Sequence, residues 1–286
     1  MPFTALFLFL FHATDSTINP IPYCIRQAAS FKWSNYEVAI SEKFKDSCLE
    51  TFRGLYVNST YKPESKLPKK FTQCFHFVNL NGDKNIDLIY EGNAGSEGSY
   101  VTFYLNTGKQ LEGIETQNGY VWDLKFKENK LSSFVIYNPG CCAETIEFER
   151  HYNVSPLFKC KLEWQVSIIQ GMNKFEPDSF FQKPFQFQTL NEDYSLRYEP
   201  RISDQVPNEI SEGARGPYHG NSTALYPKGS IGTAWATKKD STGREWWLVE
   251  MEPLKYLKFD AYYSLDDFPT RYIGWMSSRF VKKLDQ

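Results

Sequence analysis

The sequence predicts a mainly β protein built in two units: an antiparallel β meander with a short N-terminal helix, followed by a second β unit at the C-terminus. Two observations carry this class. Aromatic residues make up 17% of the 286-residue chain, as 23 Phe, 18 Tyr and 7 Trp, and such side chains suit a pleated, half-buried surface. Short alternating or β-branched runs, punctuated by Gly, Asn and Pro clusters, recur along most of its length. A hydrophobic fraction of 41% at this length supplies a core for one large domain or two ordinary ones. The composition excludes collagen-like, coiled-coil and globally disordered chains. With 32 Lys+Arg against 34 Asp+Glu and a net charge of -2, neither half has the basic surplus that phosphate-backbone binding uses, so no nucleic acid partner is expected.

The apolar run Phe3 to Phe11 is too short to span a bilayer and suits the apolar stretch of an export signal. Residues 1–16 are therefore expected to be a cleavable signal, cut near Ala13, leaving a secreted or periplasmic protein with no membrane span. Between Ser34 and Leu55, Val38, Phe44, Cys48, Leu49 and Phe52 recur at helical spacing, with Ser34 or Asn35 as N-cap and Gly54 as the stop. Residues 71–170 hold seven strand-like runs: FTQCFHFV, DLIYEG, SYVTFYLN, GYVWDLKF, LSSFVIYN, ETIEFERHYNV and LEWQVSII. Their short loops predict antiparallel meander pairing. No repeat of fixed period supports a propeller. Residues 171–190, with two Pro, read as a connection between a first domain (17–175) and a second (188–286). Ser203 to Asn221 reads as an exposed polar loop.

Six cysteines, Cys24, Cys48, Cys74, Cys141, Cys142 and Cys160, are candidates for disulfides in an exported chain. Their pairing is not set by the sequence. A zinc site is disfavoured, because there is no Cys-x-x-Cys and His12, His76, His151 and His219 form no ligand-spaced cluster.

In Asn79-Leu-Asn-Gly-Asp-Lys-Asn-Ile-Asp87, oxygen-bearing side chains fall at every second place: Asn79, Asn81, Asp83, Asn85 and Asp87. Such spacing can turn several oxygens onto a hard cation such as calcium, or let Asn and Asp side chains satisfy their own turn backbone. The segment resembles the calcium loop of FG-GAP or VCBS-type repeats, which implies a strand–loop–strand unit with Ca2+ as its cofactor. Asn79 replaces the first Asp of that pattern and Lys84 stands where Gly is common. With Asp83 and Asp87 as its two charged ligands, the loop is expected to bind calcium weakly, in roughly the millimolar range of extracellular modules.

Four stretches of the last hundred residues resemble the bacterial Src-homology-3-like domain family: Tyr194-Ser-Leu-Arg-Tyr-Glu-Pro200, Tyr226-Pro-Lys-Gly-Ser-Ile-Gly-Thr-Ala-Trp-Ala236, Glu245-Trp-Trp-Leu-Val-Glu-Met251 and Gly274-Trp-Met-Ser-Ser-Arg-Phe-Val281. The last of these is the most specific. The resemblance implies a small SH3-like β barrel over 188–286 and a docking role for cell-wall peptides or proteins. Strand alternation adds that Trp246 and Trp247 point to opposite faces, so one is core and its neighbour is expected at the surface. Trp246, Trp247, Trp275 and Tyr226 are the candidate ligand-binding residues, although aromatics in a small barrel are also natural core.

No catalytic constellation emerges. Gly-x-Ser-x-Gly and phosphate-binding glycine loops are absent from the sequence. Cys74 and His76 share a strand face without further context, and the carboxylates Glu91, Glu97, Asp266 and Asp267 read as ordinary surface. The expectation is a non-catalytic binding protein of the Gram-negative envelope that recognises peptidoglycan, a glycan or a protein. A cell-wall hydrolase with an interdomain site, and an inhibitor or immunity protein docking through the 203–221 loop, are the alternatives. Sequons at Asn58, Asn153 and Asn221 matter where the host glycosylates secreted chains.

Overall fold

The fold was taken from a computed structural model, which describes residues 31–52, 72–93, 99–139, 146–169, 176–205, 219–254, 257–260 and 270–284. The expected export signal, the Gly54 stop, Cys24, Cys141 and Cys142, and most of the polar loop after Ser203 lie outside the described residues. The described chain is mainly β, with antiparallel sheets and one α-helix. None of its helices is long and apolar enough to cross a membrane.

Strands β1 (Phe75–Val78), β2 (Asp87–Asn93), β3 (Ser99–Asn106) and β4 (Leu111–Asn118) form a four-stranded antiparallel sheet in chain order. Alternation gives it two apolar faces. On one, Phe75, Phe77, Leu88 and Tyr90 pack with Leu49 and Phe52 from α1 (Glu42–Thr51) and its C-cap. On the other, Val78, Ile89, Val101 and Phe103 pack against Val121, Leu124, Phe134, Ile136 and Tyr152. Those belong to β5 (Tyr120–Lys127), β6 (Lys130–Asn138) and β7 (Ile146–Val154) of a second sheet. The first half is thus three layers: helix, sheet, sheet.

The helix is shorter than its periodicity predicts. It starts after Ser41, whose Oγ accepts the Phe44 N–H at 3.2 Å. Upstream, the Val38 N–H donates to the Phe77 carbonyl at 2.9 Å, so that backbone is spent on β1 rather than on a helical turn. β4 had no counterpart among the predicted runs. It is a polar edge strand, Leu-Glu-Gly-Ile-Glu-Thr-Gln-Asn, of the kind that discourages edge-to-edge association and hides the period-2 signal.

The second sheet has twelve strands, running β16-β9-β12-β13-β15-β8-β7-β6-β5 with β10, β11 and β14 off this path. The remaining ranges are β8 (Cys160–Ile169), β9 (Ser179–Thr189), β10 (Tyr194–Arg197), β11 (Ser222–Tyr226), β12 (Ile231–Lys239), β13 (Glu245–Met251), β14 (Phe259–Asp260), β15 (Thr270–Ser277) and β16 (Val281–Lys283). Most of the expected connection is in fact β9. Its Pro184 falls where the register against β12 shifts between Phe185 and Phe180, a bulge that tolerates a residue with no N–H to donate.

The two expected units meet through hydrogen-bonded strands. β8 of the first half pairs in parallel with β15 of the second, Gln165 opposite Thr270 and Val166 opposite Arg271, and Gln165 Nε2 donates to Thr270 Oγ1 at 2.8 Å. Val166 and Ile168 share a core with Ala236, Trp246, Leu248, Ile273 and Trp275. The opposite face of β12, β13 and β15 curls with β9, β10 and β11 around Phe187, Leu196, Tyr226, Val249, Met251 and Met276. Among the described residues these strands do not close into a barrel.

Candidate functional site

The Asn79–Asp87 loop folds on itself. Asn79 Oδ1 accepts the Gly82 N–H, Asn81 Oδ1 the Asp83 N–H, and Asp83 Oδ1 the Asn85 N–H at 2.6 Å. The side-chain amides of Asn81 and Asn85 donate to Asp83 Oδ2. Asn79, Asn81 and Asn85 therefore gather around Asp83 in the manner of Asx turns. Asp87 does something else. It is fully buried at the base of the loop, where its two oxygens accept the backbone N–H groups of Leu80 and Asn106 at 2.7 and 2.8 Å. Burial raises its pKa, partly offset by those two donors. Oxygen donors of the type calcium takes are present, but Asp87 is committed to holding β1, β2 and β3 in register. No group of three or more His, Cys, Asp and Glu among the described residues is arranged to hold a metal.

The four C-terminal aromatics do not form a surface. Trp246 is 1% exposed and Trp275 0%; both lie in the core shared with β8. Tyr226 is buried in the opposite core, and Trp247 packs half-buried on that same side against Phe185 at 5.0 Å. The neighbours face opposite ways, as alternation expects: Trp246 is core, and Trp247 is the one that keeps part of its surface exposed. The face that carries Trp246 is covered where β8 joins β15. Trp246 Nε1 donates to Asp240 Oδ2 at 2.9 Å, locking the hairpin turn before β13.

Two clusters absent from the sequence reading hold the chemistry. The first crosses the seam on the face that carries Val166. Glu149 and His151 on β7 pair at 2.5 Å, and the His151 ring stacks on Trp164 of β8 at 3.5 Å. The Arg271 guanidinium of β15 lies 5.0 Å from the centroid of the same indole. Arg271 also donates to Glu250 of β13 at 2.6 Å and lies 3.3 Å from Glu252 just beyond it. Glu149 and Glu250 are buried, whereas Trp164, Arg271 and Glu252 keep part of their surface in water. Burial raises the Glu250 pKa; Arg271 opposes this, and the nearby Glu149 and Glu252 reinforce it. The signal was present as Glu-x-His and Glu-x-Glu, charged residues two apart on strands and hence on one face.

The second cluster joins residues 31–40 to the first sheet. The His76 and Trp33 rings stack at 3.7 Å, His76 Nδ1 lies 2.8 Å from Glu37 Oε1, and Trp33 Nε1 donates to Glu91 at 3.5 Å. Glu91 Oε2 also accepts the Val121 N–H at 2.7 Å, capping the outer strand β5. Glu91 is thus no ordinary surface carboxylate, and burial pushes its pKa up.

Among the described residues, Cys48 and Cys160 carry free thiols, and Cys74 lies on the same helix-facing core as Cys48. Burial raises the pKa of each, that of Cys160 to about 12 with help from Glu115, so none carries the thiolate character of a nucleophile. Comparison with protein-family models, with curated proteins and with solved structures finds no match to this chain.

Proposed function

We propose that this is a non-catalytic, exported binding protein of the bacterial envelope, and that the seam cluster docks an amine-bearing cell-wall peptide. One observation carries the reading. The acid–base groups of the cluster are already engaged with one another, Glu149 with His151 and Glu250 with Arg271, while an indole, a guanidinium and the Glu252 carboxylate remain at the rim. Such an arrangement suits holding a ligand rather than moving its protons. The part-exposed Glu252 carboxylate favours a cationic group, and the part-exposed Trp164 indole adds cation–π attraction. The order β12, β13, β15, a 3₁₀ turn at Ser278–Phe280 and β16 supports the SH3-like reading of the C-terminal half. The Asx-rich loop supports a weak calcium site of FG-GAP type at Asn79, Asn81, Asp83 and Asn85, with Asp87 as its buried anchor.

Sedimentation with purified peptidoglycan, run beside turbidity of the same suspension, tests the function. Wild type is expected to sediment without clearing, with Trp164→Ala and Glu252→Gln weakening retention at least tenfold. No sedimentation refutes the reading. Clearing favours the hydrolase alternative, whose one support is Glu250, a carboxyl inclined to keep its proton beside a second carboxylate. For calcium, calorimetric titration of wild type and Asp83→Ala decides: heat in the first alone supports the site, and equal or no heat in both removes it.

A further inference from the structure

We propose that residues 31–40 form an acid-released strap across the open side of the first half, with His76 as its latch. This does not depend on the ligand proposed above. The strap touches both layers of the sandwich. On the four-stranded sheet, Trp33 stacks on His76, Glu37 pairs with it, and the Val38 N–H reaches the Phe77 carbonyl on the outer edge of β1. On the facing layer, Tyr36 stacks against Phe126 of β5 at 6.0 Å. Phe31 ties the strap together, edge-on to Trp33 at 4.9 Å and stacked on Tyr36 at 5.1 Å.

The latch is asymmetric. The His76 side chain is 11% exposed, whereas its partner Glu37 is 41% exposed, so water screens much of the charge that would stabilise an imidazolium. Glu37 and Trp33 face the ring from the strap, and Glu91 on β2 shares Trp33 with it. Cys74 lies just ahead on the chain, and Asp123 of β5 acts on Tyr36. Desolvation outweighs Glu37 and lowers the His76 pKa below 6.5 in the closed state. Lifting the strap returns the ring to water, where it takes up a proton near 6.5. Protons therefore favour the open strap as pH falls through 6.5. Glu91 works the other way at lower pH: its raised pKa makes protonation favour closure as pH approaches 4.5. The opening window lies between these two values. Opening bares the free edge of β1.

Hydrogen exchange of the full chain at pH 7 and pH 5.5, corrected for intrinsic rates, reads the strap directly. The change in proton occupancy of an exposed imidazole over that interval sets a ceiling of about eightfold on the loss of protection in residues 31–40. Wild type should lose severalfold, and Glu37→Gln should lose more, because Glu37 is what keeps the closed-state proton affinity from falling further. His76→Gln should lose none. The proposal is overturned by wild-type protection that ignores pH, or by an equal loss in His76→Gln. It is also overturned by simultaneous loss across β1–β4 with collapse of the circular dichroism, which would mean global unfolding. If His76→Gln fails to fold, a loss in Glu37→Gln no greater than in wild type overturns it equally well.

Discussion

Substituting Val166 by Ala tests whether the β8–β15 seam makes the two halves one cooperative unit. Val166 is fully buried, lies opposite Glu149 on β7 and Arg271 on β15, and belongs to a core whose other members come mostly from the C-terminal half. Removing two methyl groups costs about 1.6 kcal/mol of transfer free energy at ~0.8 kcal/mol each. A residual cavity of roughly 40 Å³ adds about 1 kcal/mol. The total, about 2.5 kcal/mol, is roughly seventyfold in the unfolding constant. Native-state hydrogen exchange reports it locus by locus. Because β8 also packs toward the sandwich core through Cys160 and Leu162, amides of β6 and of β13 should lose the same protection. Loss confined to β12, β13 and β15, or to β6, β7 and β8, would show two independently unfolding domains and refute the reasoning.

Two further outcomes follow from the C-terminal half. Burial acts to raise the Asp240 pKa, but hydrogen bonds from Thr242, Trp246 and the Arg244 N–H outweigh it and hold the carboxyl down at about 2. The folded pKa lies below the unfolded one, so its contribution is full above pH 3.8 and fades as pH falls toward 2. Since the group is largely exposed, about 1 kcal/mol is expected. Asp240→Ala should cost that much in urea titrations at pH 6 and little at pH 2; an equal cost at both values discards the electrostatic account. Gly274→Ala would place a Cβ 2.7 Å from the Arg197 carbonyl and 2.8 Å from Leu196 Cγ, where β10 crosses β15 at the Arg197–Trp275 pair. A loss of about 1–3 kcal/mol in thermal or urea unfolding is expected, and a neutral substitution would show that β10 can move aside.

What the sequence disclosed and what it concealed divide along a physical line. The meander strands were readable because each buries a face locally and so carries its own period, as β3 does with Val101 and Phe103 inward. The hairpin before β13 was readable because turn chemistry is also local: Asp240 takes its donors from Thr242 and Arg244. Alternation left open whether Trp246 or Trp247 is core because period 2 tells which neighbours part company, not what covers each face. The cover of Trp246 is the core shared with β8, set by a parallel pairing of residues about a hundred positions apart. Long-range pairing leaves no short-range trace. The seam cluster is hidden for the same reason. Glu149, Trp164, Glu250 and Arg271 lie on four different strands, and their meaning appears only when those strands lie side by side. A buried charge on a strand is costly unless something meets it. A glutamate buried on a strand therefore implies a partner; Glu149 finds His151 two residues along β7, and Glu250 finds Arg271 on β15. That requirement is the one route by which sequence alone could have led to the seam.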